Sequence, residues 1–169
     1  MLWVKTFFGI LFQTALLGVF LYLPALTLNW ADALLFLSIH FLITILASAY
    51  LLIVKPASIE ARMNYDSEAQ PKEDRLATVL MLSAIVVGLS LAPIDIFHLN
   101  LSSTFEGNIK NIGLGFYFIG MFLFMASMNA NEFAETTVNI QEERGQKVID
   151  TGIYSKVRHP MYTGFIFFI

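Results

Sequence analysis

The residues best suited to chemistry lie together in one short stretch, TGIYSKVRHPMYTG (151–164). Proline suits the first position of a helix and favours an extended conformation in the residue before it. A helix is therefore predicted to begin at Pro160, with His159 immediately before it. Its unpaired N–H groups and the positive end of its dipole would attract an anion. Tyr154 and Tyr162 would supply aromatic faces, which attract cations. A ligand that carries both a carboxylate and a sulfonium would suit this arrangement.

The same stretch also has a simpler interpretation. Lysine, arginine and tyrosine accumulate where a membrane helix meets the cytoplasm. Lys156 and Arg158, next to the two tyrosines, fit that pattern equally well. Residue types alone leave both interpretations open.

The composition and the motifs of the chain argue against several other kinds of site. The chain has no cysteine, which excludes disulfides, thiolate zinc sites and a cysteine nucleophile. Its three histidines are far apart in the sequence and predict no metal site. Neither a glycine-rich phosphate loop nor a GxSxG motif is present. The net charge of -3 predicts no nucleic-acid partner.

The composition is that of a membrane protein. Of 169 residues, 57% are hydrophobic and only 14% are charged, and the mean hydropathy is +0.68. A spanning helix needs about 20 mostly apolar residues. Four segments meet this requirement: 7–28, 33–54, 76–97 and 109–128. We predict an all-α transmembrane helical bundle that forms a single membrane domain over 1–169, with four full spans and the start of a fifth near Met161. This last run is too short to span, so either it is re-entrant or the sequence is a fragment. We expect a fragment, because nothing at the end of the run resembles a helix stop.

Charged residues orient the predicted bundle. Nine of the ten lysines and arginines fall on one side of it, at the N-terminus and in the segments 55–75 and 130–160. The positive-inside rule predicts that this side, including the N-terminus, is cytoplasmic, and we expect a bacterial inner membrane. Within 55–75, Pro56 and Pro71 bracket a charged stretch. We favour a solvated connector there over a short interfacial helix.

The sequence also predicts roles for several single residues and one short segment. His40 lies near the middle of the second span, where a neutral imidazole hydrogen-bonded between helices is expected. Three glycines of the fourth span are expected to allow close helix packing: Gly113, Gly115 and Gly120. A helix is predicted over 129–143 with Gly145 as its C-terminal cap, followed by an extended or turn segment.

The motif region resembles a known enzyme family. RHPMYTG, preceded by VIDTGIYSKV, is similar to the RHPxYxG signature of the isoprenylcysteine carboxyl methyltransferases and the related phospholipid methyltransferases. The resemblance covers about 129–169, and the KPASIEARMN loop also looks like the corresponding loop of bacterial members. Ile153 departs from the pattern, because members often have proline after this glycine.

The resemblance implies a multispan membrane enzyme that uses S-adenosyl-L-methionine. Its acceptor would be a lipid-like or prenylcysteine-type molecule with a carboxyl or amine group, or another small molecule. Membrane lipid would be a further partner. The positions that match the family's cofactor contacts are Gln141, Gln146, Lys147, Val148, Ile149, Tyr154, His159, Pro160, Met161 and Tyr162. The 146–149 part would form a strand-like edge beside the adenosyl group.

The resemblance also identifies what the sequence lacks. The family's second signature, an arginine and paired glutamates, would follow Ile169, and Glu142 and Glu143 are in the wrong place to replace it. We therefore expect the 169-residue form to bind cofactor poorly or not at all. Two alternatives remain: a sterol-reductase-like enzyme in which Lys156 and Arg158 hold NADPH phosphates, and a non-catalytic membrane protein.

Overall fold

The computed structural model describes residues 1–63, 72–101, 108–133 and 145–168. Helices make up all the regular structure in these ranges, which contain no β-strand. The helices are α1 (Leu2–Ala25), α2 (Ala31–Val54), α3 (Pro56–Met63), α4 (Lys72–Ile94), α5 (Asn108–Ala130) and α6 (Pro160–Phe168). A π-helical turn, Asp95–Leu99, extends α4, and a 3-10 turn, Gly152–Ser155, precedes α6.

Four helices are long and apolar enough to cross a membrane. They are Leu2–Ala25, Ala31–Val54, Thr78–Leu99 and Asn108–Ala130. A helix satisfies its own backbone hydrogen bonds, so such apolar segments are stable in lipid. The predicted all-α multispan bundle is confirmed, and the chain is a multi-pass membrane protein.

The spans bury few of their side chains against one another. α1 packs against α2 and α4, whereas α5 packs mainly against α6. Only 6% of the apolar window in the third span is buried, against 22% in the first. Large apolar side chains such as Phe12 and Phe122 therefore point outward, as expected of helices whose solvent is lipid.

The best-packed apolar cluster lies at one end of the bundle. Leu51 and Leu52 of α2, Ile59 of α3 and Met128 of α5 are buried together. We call these four residues the apolar cluster. Phe124 and Met161 pack against it, among other partly buried side chains, so the cluster joins α2, α3, α5 and α6.

The first part of the segment after the second span, 56–63, is a helix and not the solvated connector that we favoured. Pro56 occupies the first position of α3, where its missing N–H costs nothing. Ser58 is fully buried, and its Oγ donates a hydrogen bond to the Met128 carbonyl at 3.1 Å. Ile59 and Ala61 are also buried. Packing against α1 and α2, together with the hydrogen bond to α5, therefore docks this polar-looking segment as a helix. Pro71 lies outside the described residues.

Among the residues that the structure describes, one of the three glycines in the fourth span makes a close helix contact. A Cβ on Gly120 would lie 2.8 Å from the Gly164 carbonyl oxygen, so α5 and α6 cross here with their backbones nearly touching. A Cβ on Gly113 or Gly115 would meet no described atom within 4 Å. The packing prediction is confirmed for Gly120 and wrong for the other two.

The helix predicted over 129–143 is interrupted, because α5 ends two residues into it. It stops at Ala130, and Asn131 Oδ1 accepts a hydrogen bond from the Phe133 N–H at 2.9 Å. Such an asparagine turn offers the backbone an alternative to the helix. The remaining part of the predicted helix, 134–144, lies outside the described residues. Gly145 has a φ of 63°, the left-handed conformation that a C-terminal cap requires.

His40 forms the expected interhelical contact. Its Nδ1 is 2.9 Å from the Tyr117 hydroxyl oxygen, which joins α2 to α5. The His40 side chain is only 2% exposed, and its Nε2 has no hydrogen-bond partner among the described residues. The prediction of a histidine hydrogen-bonded between helices is confirmed.

Candidate functional site

The start of α6 has the predicted arrangement. The helix begins at Pro160, which is buried, and His159 precedes it. The first backbone bond of the helix runs from the Thr163 N–H to the His159 carbonyl, at 3.0 Å. The N–H groups of Met161 and Tyr162 precede this bond, so the helix itself gives them no acceptor. They are available to an anion at this end of the bundle.

Two aromatic rings lie at the surface of this helix start. His159 and Tyr162 stack with ring centroids 5.8 Å apart and planes inclined by 27°. Both residues are exposed. One turn of helix separates them, so the pair presents a flat face to any ligand that approaches the first turn of α6.

Tyr154 lies on the 3-10 turn, which packs against the end of α5. A Cβ on Gly152 would lie 3.2 Å from the Ala130 Cβ, and the φ of 61° at Gly152 is one that glycine tolerates best. Asn131 Nδ2 is 3.5 Å from the Tyr154 hydroxyl oxygen. These contacts hold Tyr154 half-buried next to the last turn of α5.

Arg62 joins this group from α3, although the sequence predicted it only as one of several loop cations. Its Nη1 is 3.8 Å from Met161 Sδ, and its Cζ is 5.1 Å from the centroid of the Phe124 ring. Burial lowers the pKa of the Arg62 guanidinium, and the nearby Tyr154 hydroxyl opposes that effect. A helical interpretation of 56–63 would have drawn attention to Arg62, because Ile59 lies one turn before it on the same face.

The described residues bring together only part of the predicted cofactor set. Tyr154 and Met161 lie close to Arg62, and His159, Pro160 and Tyr162 form the start of α6. The 146–149 segment is irregular and not strand-like. Three of its residues, Gln146, Lys147 and Val148, are exposed, and Ile149 is half-buried. Gln141 lies outside the described residues.

Two cavities lie away from this group. One, of about 550 Å³, runs beside the C-terminal half of α1 and is lined by residues that include Tyr22 and Leu26. The other, of about 210 Å³, lies between the start of α1 and α3, with Lys5 and Glu60 in its wall. The predicted cofactor residues line neither cavity. In the described ranges, no cluster of three or more histidines and carboxylates could hold a metal ion.

Comparison with known proteins identifies no relative: no family model, curated protein or solved structure matches this chain. Its function must be inferred from its residues and their geometry. The geometry offers N–H groups for an anion, a stacked aromatic pair and a half-buried guanidinium at one end of a membrane bundle. Features of this kind suit a ligand that has an anionic part and an aromatic or cationic part.

Proposed function

We propose that the protein is an integral membrane methyltransferase that uses S-adenosyl-L-methionine. Its acceptor is a lipid-like or prenylcysteine-type molecule with a carboxyl or amine group, methylated at the cytoplasmic face. The observation that carries the proposal is the start of α6, where the RHPMYTG motif opens a helix beside Tyr154 and Arg62. Because that motif resembles the methyltransferase signature, we propose S-adenosyl-L-methionine as the ligand.

The residues at the start of α6 fit the chemical groups of this cofactor. The N–H groups of Met161 and Tyr162 suit its carboxylate, because a helix N-terminus attracts anions. The stacked His159 and Tyr162 rings, together with Tyr154, offer faces that attract a sulfonium. When bound, the cofactor supplies an electrophilic methyl group. Gln146, Lys147, Val148, Ile149 and Gln141 remain candidates for the adenosyl side.

The residues of the chain would act mainly by orientation. A carboxylate acceptor is already ionised at neutral pH, so its methylation needs no general base. Holding acceptor and donor in line can supply up to about 7–11 kcal/mol in favourable cases. Side chains that exclude water from the reacting groups would add to this. Phe124 and Met161 are suited to that task, because both pack against the apolar cluster.

The membrane setting is consistent with a lipid-like acceptor. The spans expose large apolar side chains over most of their length. A hydrophobic acceptor could therefore move through the bilayer and reach the helix ends laterally. In this proposal the ends of α2 and α5 and the start of α6 face the cytoplasm of a bacterial cell, as the positive-inside rule predicts.

Ligand protection tests the proposal directly. The protein made from its natural reading frame would be purified in lipid nanodiscs, and its melting temperature measured with S-adenosylhomocysteine or NADPH. We expect stabilisation by S-adenosylhomocysteine alone, and transfer of a radiolabelled methyl group to a lipid extract. Stabilisation by NADPH alone would favour a reductase, and an effect from neither ligand would favour a non-catalytic protein.

A matched pair of tyrosine variants identifies the site. Tyr162→Ala removes a ring that is 50% exposed from the start of α6, whereas Tyr50→Ala removes one that is 41% exposed from α2. We expect the first change to weaken S-adenosylhomocysteine binding at least tenfold, because stacking and cation attraction are lost. The second should leave binding unchanged. Equal effects of the two variants would place the cofactor elsewhere.

A further inference from the structure

The smaller of the two cavities holds opposite charges that do not pair with each other. It has a volume of about 210 Å³ and lies between the start of α1 and α3, with Lys5 and Glu60 in its wall. Both residues are exposed, and neither side chain forms an ion pair or a hydrogen bond with any residue that the structure describes. A cation and an anion are therefore both available to a ligand in this space.

The cavity lies where the bundle meets the headgroups of the bilayer. Lys5 is in the first turn of the first membrane-spanning helix, and Glu60 comes shortly after the end of the second, Val54. Trp3, in the same first turn, is 54% exposed. Tryptophan accumulates at the boundary between membrane and water. A ligand of this cavity would therefore be surrounded by lipid headgroups.

An exposed apolar surface continues from the cavity along α1. Phe8 and Phe12 follow Lys5 by three and seven residues, so the three side chains lie on one face of the helix. Phe8 is 60% exposed and Phe12 is 70% exposed. A lipid with its headgroup in the cavity would place its acyl chains against these rings. A soluble zwitterion would gain nothing from that surface, which favours a lipid as the occupant.

The two charges discriminate between phospholipid headgroups. A lysine ammonium binds phosphate as a compact charge, and a carboxylate accepts its strongest hydrogen bonds from charged N–H donors. Phosphatidylethanolamine carries a phosphate and a primary ammonium on one short headgroup, so it can contact Lys5 and Glu60 together. The quaternary ammonium of phosphatidylcholine has no N–H to donate, and phosphatidylglycerol has no positive charge for Glu60.

We propose that the cavity between Lys5 and Glu60 binds the headgroup of phosphatidylethanolamine, with the phosphate beside Lys5 and the ammonium beside Glu60. The lipid is a bound structural component and not a methyl acceptor, so the inference goes beyond the proposed function and does not depend on it. Glu60 and Arg62 are two residues apart on α3, which places them on nearly opposite sides of that helix. The lipid therefore lies on the side of α3 away from Arg62 and Met161.

Native mass spectrometry of the full chain tests the site. The protein is released from detergent micelles that contain equal amounts of dioleoyl phosphatidylethanolamine, phosphatidylcholine and phosphatidylglycerol, and the share of protein that carries each lipid is measured. We expect phosphatidylethanolamine to be retained about fivefold more than either other lipid, since exposed ion pairs contribute modestly. Glu60→Gln should abolish this preference. Lys5→Gln should lower the retention of all three lipids, because each of them carries a phosphate.

Two further variants separate the site from general effects of charge. Asp150→Asn is the matched control, because it removes another exposed carboxylate that lines neither cavity. It should keep the full preference for phosphatidylethanolamine. Met63→Trp keeps both charges but fills part of the cavity, whose wall includes Met63. It should lower the retention of phosphatidylethanolamine to that of phosphatidylcholine. The melting temperature of each variant shows whether it is folded.

Three results would overturn the inference. The first is equal retention of the three lipids by the unmodified protein, or a preference for another of them. The second is an unchanged preference for phosphatidylethanolamine in folded Glu60→Gln. The third is an equal loss of preference in Asp150→Asn and Glu60→Gln, which would assign the effect to the total charge of the protein and not to this cavity.

Discussion

Gly120 and Gly164 bring α5 and α6 into backbone contact. A Cβ on either glycine would lie within 3.0 Å of the other's carbonyl oxygen, at 2.8 Å for Gly120 and 3.0 Å for Gly164. Backbone atoms cannot move aside as the end of a flexible side chain can. This crossing fixes the direction in which α6 leaves Pro160, and so fixes the first turn on which the candidate site depends.

Gly120→Ala should therefore destabilise the bundle. We expect a loss of about 1–3 kcal/mol in the free energy of unfolding, the usual cost of overpacking. Gly113→Ala is the matched control, because a Cβ there meets no described atom within 4 Å. It should be neutral or stabilising by up to about 1 kcal/mol, since alanine favours helix. Unfolding in mixed micelles, followed by tryptophan fluorescence, measures both, and equal effects would contradict the crossing.

The buried pair His40 and Tyr117 should show energetic coupling. Tyr117→Phe leaves His40 Nδ1 without its partner, in addition to the unpartnered Nε2. His40→Leu removes both nitrogens, so the double variant should be less destabilised than the sum of the single ones. Hydrogen bonds within membrane proteins suggest a coupling of about 0.6–1.7 kcal/mol. Strict additivity in a double-mutant cycle would show that the hydrogen bond contributes nothing.

The orientation of the bundle can be tested with single cysteines, because the chain has none of its own. Val148 is 92% exposed after α5, and Asn29 is exposed in the connection between α1 and α2. With the N-terminus in the cytoplasm, a membrane-impermeant maleimide should label Asn29→Cys in intact spheroplasts. It should label Val148→Cys only after permeabilisation. The reverse pattern would place the candidate site outside the cell.

The ion pair between Lys110 and Asp32 should contribute little. Its atoms are 2.8 Å apart, but the two side chains are 53% and 61% exposed. Exposed pairs typically contribute about 0.2–1 kcal/mol and are screened by salt. Lys110→Gln should therefore lower the free energy of unfolding by less than about 1 kcal/mol, and less at 0.5 M salt than at low salt. A loss that grows with added salt would show that Lys110 acts other than by its charge.

The features that follow from local sequence could be predicted. Long apolar runs determine the spans, and a proline at a helix start determines where α6 begins, so both predictions hold. The features that depend on contacts between residues far apart in the sequence could not be predicted. α3 is docked by a bond from Ser58 to Met128, 70 residues away. Nothing near Ser58 in the sequence indicates that partner.

Arg62 was overlooked for the same reason. Composition places it among the solvated cations of a connector, whereas the fold brings it to α6. The glycines of α5 also differ in a way that their sequence positions do not show. Gly113 and Gly120 look alike in sequence, and only the path of a second helix shows which of them lies at a crossing.

The contact between Arg62 and Met161 also has a consequence for how the protein is made. The two residues are separated by 99 positions. At typical synthesis rates of about 5–20 residues per second, Arg62 leaves the ribosome roughly 5–20 s before Met161. During that interval α1 to α3 have been synthesised, while the helix that completes the candidate site has yet to be translated. The first three helices therefore exist for that time without α6, and Arg62 gains its contact with Met161 only when α6 has been made.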